Sequence, residues 1–183
     1  VRTLRVANGK ILAAAANQSS WQGAVALFDI ASGNVDWTKY GASANKYFGR
    51  MIAISDTTVA VHHWPDSGNT RAGAVTIYDM AGNELYTYTG TTNDERLGLG
   101  LAVSSNHFAY SSGGSNYSGT KQVIVRSVSD GSVVATINDP TPGGNGTYEG
   151  DFGSMNNDDN HISMTDSYIA IGAPYESHTV DGV

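Results

Sequence analysis

Apolar and polar residues alternate along this chain in short runs, and the runs recur. "GAVALFDIASGNVDWTKYG" from Gly23 is nearly repeated by "GAVTIYDMAGNELYTYTG" from Gly73. Phe48-Gly49 returns as Leu97-Gly98 and again as Phe152-Gly153, steps of 49 and 55 residues. In the second unit the runs are "GRMIAIS", "TTVAVHH", "GAVTIYD" and "NELYTYTG"; in the third, "GLGLAVS", "NHFAYSS", "KQVIVRS" and "SVVATIN". The first unit fits as "TLRVAN", "KILAAAA", "GAVALFD" and "NVDWTKYG", and the last supplies "HISMT" and "YIAIGAP". A period of two is the signature of strands with unlike faces. Four short strands per unit of roughly 40 to 50 residues predict propeller blades, because such a unit buries its faces only against its neighbours. The expected fold is all-β, a β-propeller of four-stranded antiparallel blades, with units at 1–46, 47–95, 96–150 and an incomplete 151–183. About three and a half blades leave an open arc with exposed edges, so further blades are expected in a longer polypeptide or another chain. The start, "VRTLRVANGK", lacks an initiator Met and the apolar core of a signal peptide, and the chain is read as a fragment.

Composition narrows the classes of function. The 183 residues, 40% of them hydrophobic, suffice for a core in a single propeller segment, 1–183. Val, Gly, Ser, Thr, Asn and Tyr outweigh Leu, Ile and Phe, which favours pleated surfaces joined by tight turns and leaves little for helices. The chain has no Cys, so disulfides, thiolate metal sites and thiol nucleophiles are excluded. A formal charge of −7 with ten scattered basic residues offers no phosphate-tracking patch, and nucleic acid is not an expected partner. No apolar run of about 18 residues exists, so no membrane insertion is expected.

Phe48-Gly49 before "MIAIS", Phe152-Gly153, and "YIAIGAP" with Gly172-Ala173-Pro174 together resemble the FG-GAP repeat family. Only the last unit carries both halves: the second has "VAVHHWP" and the third "FAYSSGG" in place of the GAP element. The linking phrases "TKYGASANKYFGR" and "INDPTP…DFG" are similar to calcium-free variants of this repeat in large virion proteins of marine phages. The resemblance implies a propeller serving as a structural or adhesive part on an extracellular or virion surface. Its calcium-binding members, such as integrin α-chain propellers, insert an Asp/Asn-rich loop between the first two strands. Here those connections are "SDTT", "SSNH" and "TDSY", too short and too poor in carboxylates to wrap an ion. The acidic cluster "NNDDNH", with Asp158 and Asp159 near Asp151 and Asp166, lacks the spacing of a calcium loop and is expected to be a solvated insertion. No metal site is expected.

Other candidates for chemistry are weaker. His62 and His63 are neighbours on a strand, so their rings are expected on opposite faces, as structural or surface residues rather than joint metal ligands. "GSNYSGTK", Gly114 to Lys121, has the glycines of a phosphate loop, yet its Lys comes one place late and no helix follows. No nucleophile elbow is present. Glycosylation triplets at Asn17, Asn116 and Asn145 match the number expected by chance. "LFDIASGNVDW" resembles the repeat of quinone-cofactor dehydrogenase propellers, which supplies the enzyme alternative. Trp37, however, is followed in register by Tyr86 and then by Val134-Ala135, which breaks the docking pattern of those enzymes; Trp37 is expected to pack between blades. No catalytic residue and no cofactor are expected.

Loop lengths give the functional clue. First and third connections are tight, such as "SDTT", "MAGNE" and "SDGS". Second connections are long, "NQSSWQ", "WPDSGNTRA", "SGGSNYSGT" and "YESHTVD", as are the linkers "GASANKY", "TTNDER" and "PTPGGNGTYEG". In an antiparallel meander the long connections share one end. That end is expected to display Trp21, Trp64, Tyr117, Tyr148 and Tyr175 and to bind a protein receptor or a cell-surface glycan. The rival within the non-enzyme class is a purely architectural subunit whose partners are other structural subunits or blades.

Overall fold

The computed structural model describes residues 3–64, 71–113, 120–140, 152–153 and 160–172. The first sheet holds β1 (Thr3–Ala7), β2 (Lys10–Ala14), β3 (Ala24–Asp29) and β4 (Val35–Tyr40). The second holds β5 (Ile52–Ile54), β6 (Thr58–His63), β7 (Ala74–Asp79) and β8 (Glu84–Thr89). The third holds β9 (Leu101–Val103), β10 (His107–Ser112), β11 (Gln122–Ser127) and β12 (Val133–Asn138), and β13 (Ile162–Met164) pairs with β14 (Ile169–Ile171). Each sheet is an antiparallel meander in chain order. The fourth strands begin at Val35, Glu84 and Val133, 49 residues apart each time. A bulge falls at the same place in every complete sheet, between Leu27 and Phe28, Ile77 and Tyr78, and Val125 and Arg126. Just beyond it an aspartate closes the third turn: Asp29 accepts the Ser32 N–H at 2.8 Å, and Asp79 accepts that of Asn83 at 2.8 Å. Both carboxyls lie below their ordinary pKa; Lys10 is the chief cause at Asp29, while at Asp79 desolvation is outweighed by the hydrogen bonds from Asn83, Ala81 and Gly82 together.

The first strands of the second and third units are shorter than the alternation predicts, three residues each. The residues ahead of them form a turn instead, in which the Arg50 N–H donates to Tyr47 O. Among the described residues helix is limited to one turn, α1 (Gln18–Trp21), and Ser19, Ser20 and Trp21 within it have left-handed backbone, φ 50°, 57° and 66°.

Period-two alternation puts each sheet's two faces into different cores. Leu12, Val25 and Leu27 meet Ile52, Val59 and Val61 between the first and second sheets. Ala60, Val75 and Ile77 meet Leu101, Phe108 and Tyr110 between the second and third. Val123, Val125 and Phe152 meet Ile162 beyond the third. Burying a side chain the size of Phe108 contributes roughly 1.5–3 kcal/mol.

Close approach of the sheets depends on one glycine per unit. Gly49, Gly98 and Gly153 have φ +86°, +89° and +77°. Their N–H groups donate to the carbonyls of His62 and Ser111, on the second strand of the same unit, and of Gly172, just past it, at 3.0, 2.7 and 3.0 Å. A Cβ on Gly98 would collide with Val75 Cγ2 and lie 3.2 Å from His62 Cδ2. Gly33, at φ +70°, has open space around its Cβ position. Both Gly→Ala changes therefore incur left-handed strain of about 1 kcal/mol, while only Gly98→Ala must also separate two packed residues. Urea denaturation is expected to show a loss of about 1 kcal/mol for Gly33→Ala and at least about 3 kcal/mol for Gly98→Ala; equal losses would disprove the close-approach account.

Candidate functional site

The described parts of the second connections and linkers are laced together at one end of the sheets. Asn45 N–H donates to Ser20 O, Tyr47 N–H to Trp21 O at 2.7 Å, and Phe48 N–H to Gln22 O. Trp64 N–H donates to Lys46 O at 2.7 Å, and Gly113 N–H donates to Glu95 O at 2.8 Å, 49 residues further on. Glu95, nearly buried, accepts the Thr91 N–H at 2.8 Å and the Ser112 hydroxyl at 3.0 Å. The described non-glycine residues with positive φ are Asn8 and eight others, Ser19, Ser20, Trp21, Asn45, Tyr47, Arg71, Asp94 and Arg96, and those eight sit in these loops and linkers. Such backbone persists only where its surroundings over-determine it, and functional sites are where it gathers.

Two aromatic groups stand at this end. Trp21, 42% exposed, stacks on Tyr47 with centroids 5.2 Å apart. Trp64, half-buried, has the Arg50 guanidinium 5.2 Å from its ring centroid and meets His62 edge-on at 4.9 Å. His62 is fully buried, and neither ring nitrogen has a hydrogen-bond partner among the described residues. Burial first, then Arg50 and His63, hold its pKa well below the ordinary 6.5, so the ring is neutral.

His63 points to the opposite face, as adjacent strand residues must. There it lines a 310 Å³ cleft between the first and second sheets, with Tyr40, Lys46, Phe48, Trp64 and Tyr78. A run of hydrogen bonds crosses the cleft wall: His63 Nε2 to Thr76 Oγ1 at 3.1 Å, Thr76 to Thr87 at 2.9 Å, and the Thr87 hydroxyl to Glu84 Oε1 at 2.8 Å. Because Thr87 donates to the carboxylate, Thr76 donates to Thr87, and His63 donates from Nε2. No alternation or motif marks this run; it requires β6, β7 and β8 in register.

The sequence-predicted residues fall as follows. Trp21 and Trp64 bracket the 45–48 linker, whereas Tyr117, Tyr148 and Tyr175 lie outside the described residues. Phe48, Leu97 and Phe152 are each buried, at 5, 5 and 6% exposure, and seat the linker in successive cores. Gly172 occupies the place of His62 and Ser111; Ala173 and Pro174 lie outside the described residues. So do Asp151, Asp158 and Asp159, while Asp166 accepts the Asn106 N–H at 2.9 Å at the tight-turn end. The described residues hold no group of three or more His, Asp or Glu placed to bind a metal. Trp37 packs between sheets as expected, its Nε1–H donating to Met80 O at 3.1 Å. Trp does not recur at Tyr86, yet Tyr86 also docks: its hydroxyl donates to Val128 O at 3.2 Å, the equivalent bond one unit on. Both side chains are flat apolar bodies with a donor at the far end, so either docks. The smaller Ala135 takes that place in the third sheet.

No protein-family model matches the chain, and no curated protein matches it. Among solved structures it is similar to a europium-containing methanol dehydrogenase, with TM-score 0.53 and 13% identity over 77% of this chain and 26% of that one. The chain thus spans about a quarter of that protein's length. At this identity the likeness concerns the fold alone, and it supports a propeller-like all-β arrangement. A second structure, titled as the eukaryotic initiation factor, aligns over 75% of this chain and 42% of that one at 10% identity and TM-score 0.32, too low to bear on the fold.

His62 makes stability depend on pH in a definable window. Its folded pKa lies below the unfolded value, so the folded state binds fewer protons and stability is lost as pH falls through about 6.5. Stability is therefore expected to be lower at pH 5 than at pH 7. The depressed aspartates act only at lower pH, as it falls through their unfolded value of 3.8. His62→Ser, which installs the residue of the equivalent position 111, is expected to remove most of that difference in chemical denaturation at the two pH values. An unchanged difference would mean that His62 is not its source.

Proposed function

We propose that the chain is a non-catalytic structural and adhesive propeller module of an extracellular or virion assembly, binding protein or glycan through its loop-rich end. The reading rests chiefly on that end. Strained loops and linkers, tied by backbone hydrogen bonds, hold Trp21 and Trp64 on a rigid sheet scaffold. Rigid aromatics on fixed loops provide contact area with little left to order on binding. The FG-GAP resemblance and its likeness to calcium-free repeats of marine phage virion proteins point the same way.

A further observation favours an assembly role. The face of the first sheet turned away from the second carries Leu4 and Val6, 56% and 64% exposed, beside Ile11, Ala13 and Phe28. The matching face of the second sheet, with Ile52, Val59 and Val61, is buried by the first. The same face is thus the natural seat of another four-stranded unit, and the partners proposed are further blades or structural subunits.

Two experiments test the module. Trp21→Ala and Trp64→Ala are expected to lower attachment to arrayed envelope glycans and proteins by at least about tenfold, with Trp21→Ala changing stability by no more than about 0.5 kcal/mol. Unchanged attachment would remove the loop-rich end from the proposal, and visible absorption by a bound quinone in the purified protein would overturn the non-catalytic reading. Val6→Glu is expected to leave folding within about 0.5 kcal/mol while abolishing association measured by light scattering. Undiminished association would show that another surface joins the assembly.

A further inference from the structure

We propose that the cleft between the first and second sheets is a binding site for one neutral hexose unit of a glycan. The inference deepens the adhesive reading and rests on it. At 310 Å³ the cleft is at the small end of the roughly 300–1,000 Å³ typical of ligand sites. It reaches from the loop-rich end, at Lys46 and Trp64, down to Glu84 on β8.

Its chemistry is that of a sugar site. A pyranose presents C–H groups on its faces and hydroxyls around its rim. Trp64 and Tyr40 offer ring surface for the first. The hydrogen-bonded wall serves the second: the Thr87 proton is committed to Glu84 Oε1, so a lone pair on Thr87 and the second oxygen of Glu84 remain as acceptors. Lys46 lines the same cleft and brings positive charge to it. Glu84 opposes an anion and Lys46 opposes a cation, so a neutral polyol is the ligand that both tolerate.

The fold does not require this wall. At the positions of His63, Thr76, Glu84 and Thr87, the third unit has Ser112, Ile124, Val133 and Thr136, and the first has Ala15, Ala26, Val35 and Thr38. Both of those units form the same four-stranded sheet with an aliphatic residue in place of Glu84. Between the second and third sheets, moreover, the corresponding space is filled. Phe108 and Tyr110 stand where the second unit has Val59 and Val61, and Arg126 lies 4.1 Å from the Tyr88 ring centroid while donating to Tyr110 Oη at 2.8 Å. In the second unit the smaller Val59 and Val61 hold those positions, and the polar wall is an addition to the shared sheet.

The test is a titration of glucose, galactose and mannose into isotope-labelled protein, following the amides of residues 63, 76 and 87, with glucuronate and glucosamine as charged controls. At least one neutral hexose is expected to shift all three amides. Thr87→Val and Glu84→Gln should each weaken that binding by about tenfold or more, and Thr87→Ser should hold it within about threefold. Thermal melts of the three variants confirm that each is folded. No shift with any neutral hexose, tighter binding of a charged control, or binding indifferent to both Thr87→Val and Glu84→Gln would overturn the proposal. Attachment that depends on Trp21 while hexose titration gives nothing would sink this site and leave the adhesive reading standing. Hexose binding in the cleft without any surface attachment would do the reverse.

Discussion

The packing of one four-stranded sheet against the next governs everything else here. A meander of four short strands has two apolar faces and, alone, no means of burying either. Each face is buried only by the unit beside it, as Val59 and Val61 are by Leu12 and Leu27. That contact requires the backbone of the linker to pass close to the neighbouring strands, and the glycine following Phe48, Leu97 or Phe152 permits it. Aromatic donors then pin the outer strands: Trp37 to Met80 and Tyr86 to Val128.

The two ends of the sheets follow from this packing in different ways. At the tight-turn end, side chains bridge successive units: the Thr57 hydroxyl donates to Ser105 O, and Asp166 accepts from Asn106. Those short turns have little freedom and carry only fastening. At the other end the chain must both return across each sheet and cross to the next unit, so two segments meet there. Their mutual hydrogen bonds hold residues such as Tyr47 and Trp21 in left-handed backbone that neither segment would keep alone. An irregular surface held by backbone hydrogen bonds results.

Much of the fold was legible because strand alternation is a local property. The second, third and fourth strands of the complete units lie within the runs that the apolar pattern marks, as "TTVAVHH" contains β6 and "SVVATIN" contains β12. The first strands were overestimated because Gly49 and Gly98 form turns, and alternation cannot distinguish a turn residue from a strand residue of the same polarity. The docking role of Tyr86 was missed for a related reason. Its spacing from Trp37 was visible, but the equivalence of an indole N–H and a phenol O–H depends on a carbonyl supplied by the next unit.

The sequence alone determined the repeat, the strand-rich composition, the absence of thiol chemistry and the end at which long connections gather, since each depends on residue type and spacing along the chain. Tertiary structure decided which side chains meet across spacing. His62 became a neutral ring under Gly98 whose nitrogens find no hydrogen-bond partner among the described residues, and its neighbour His63 became the start of a hydrogen-bonded wall. The pairing of β6 with β7 and of β7 with β8 placed Thr76 between His63 and Thr87, residues 24 positions apart. Such a wall is invisible in the chain because its members share no local pattern; only hydrogen-bonded register between strands makes them neighbours.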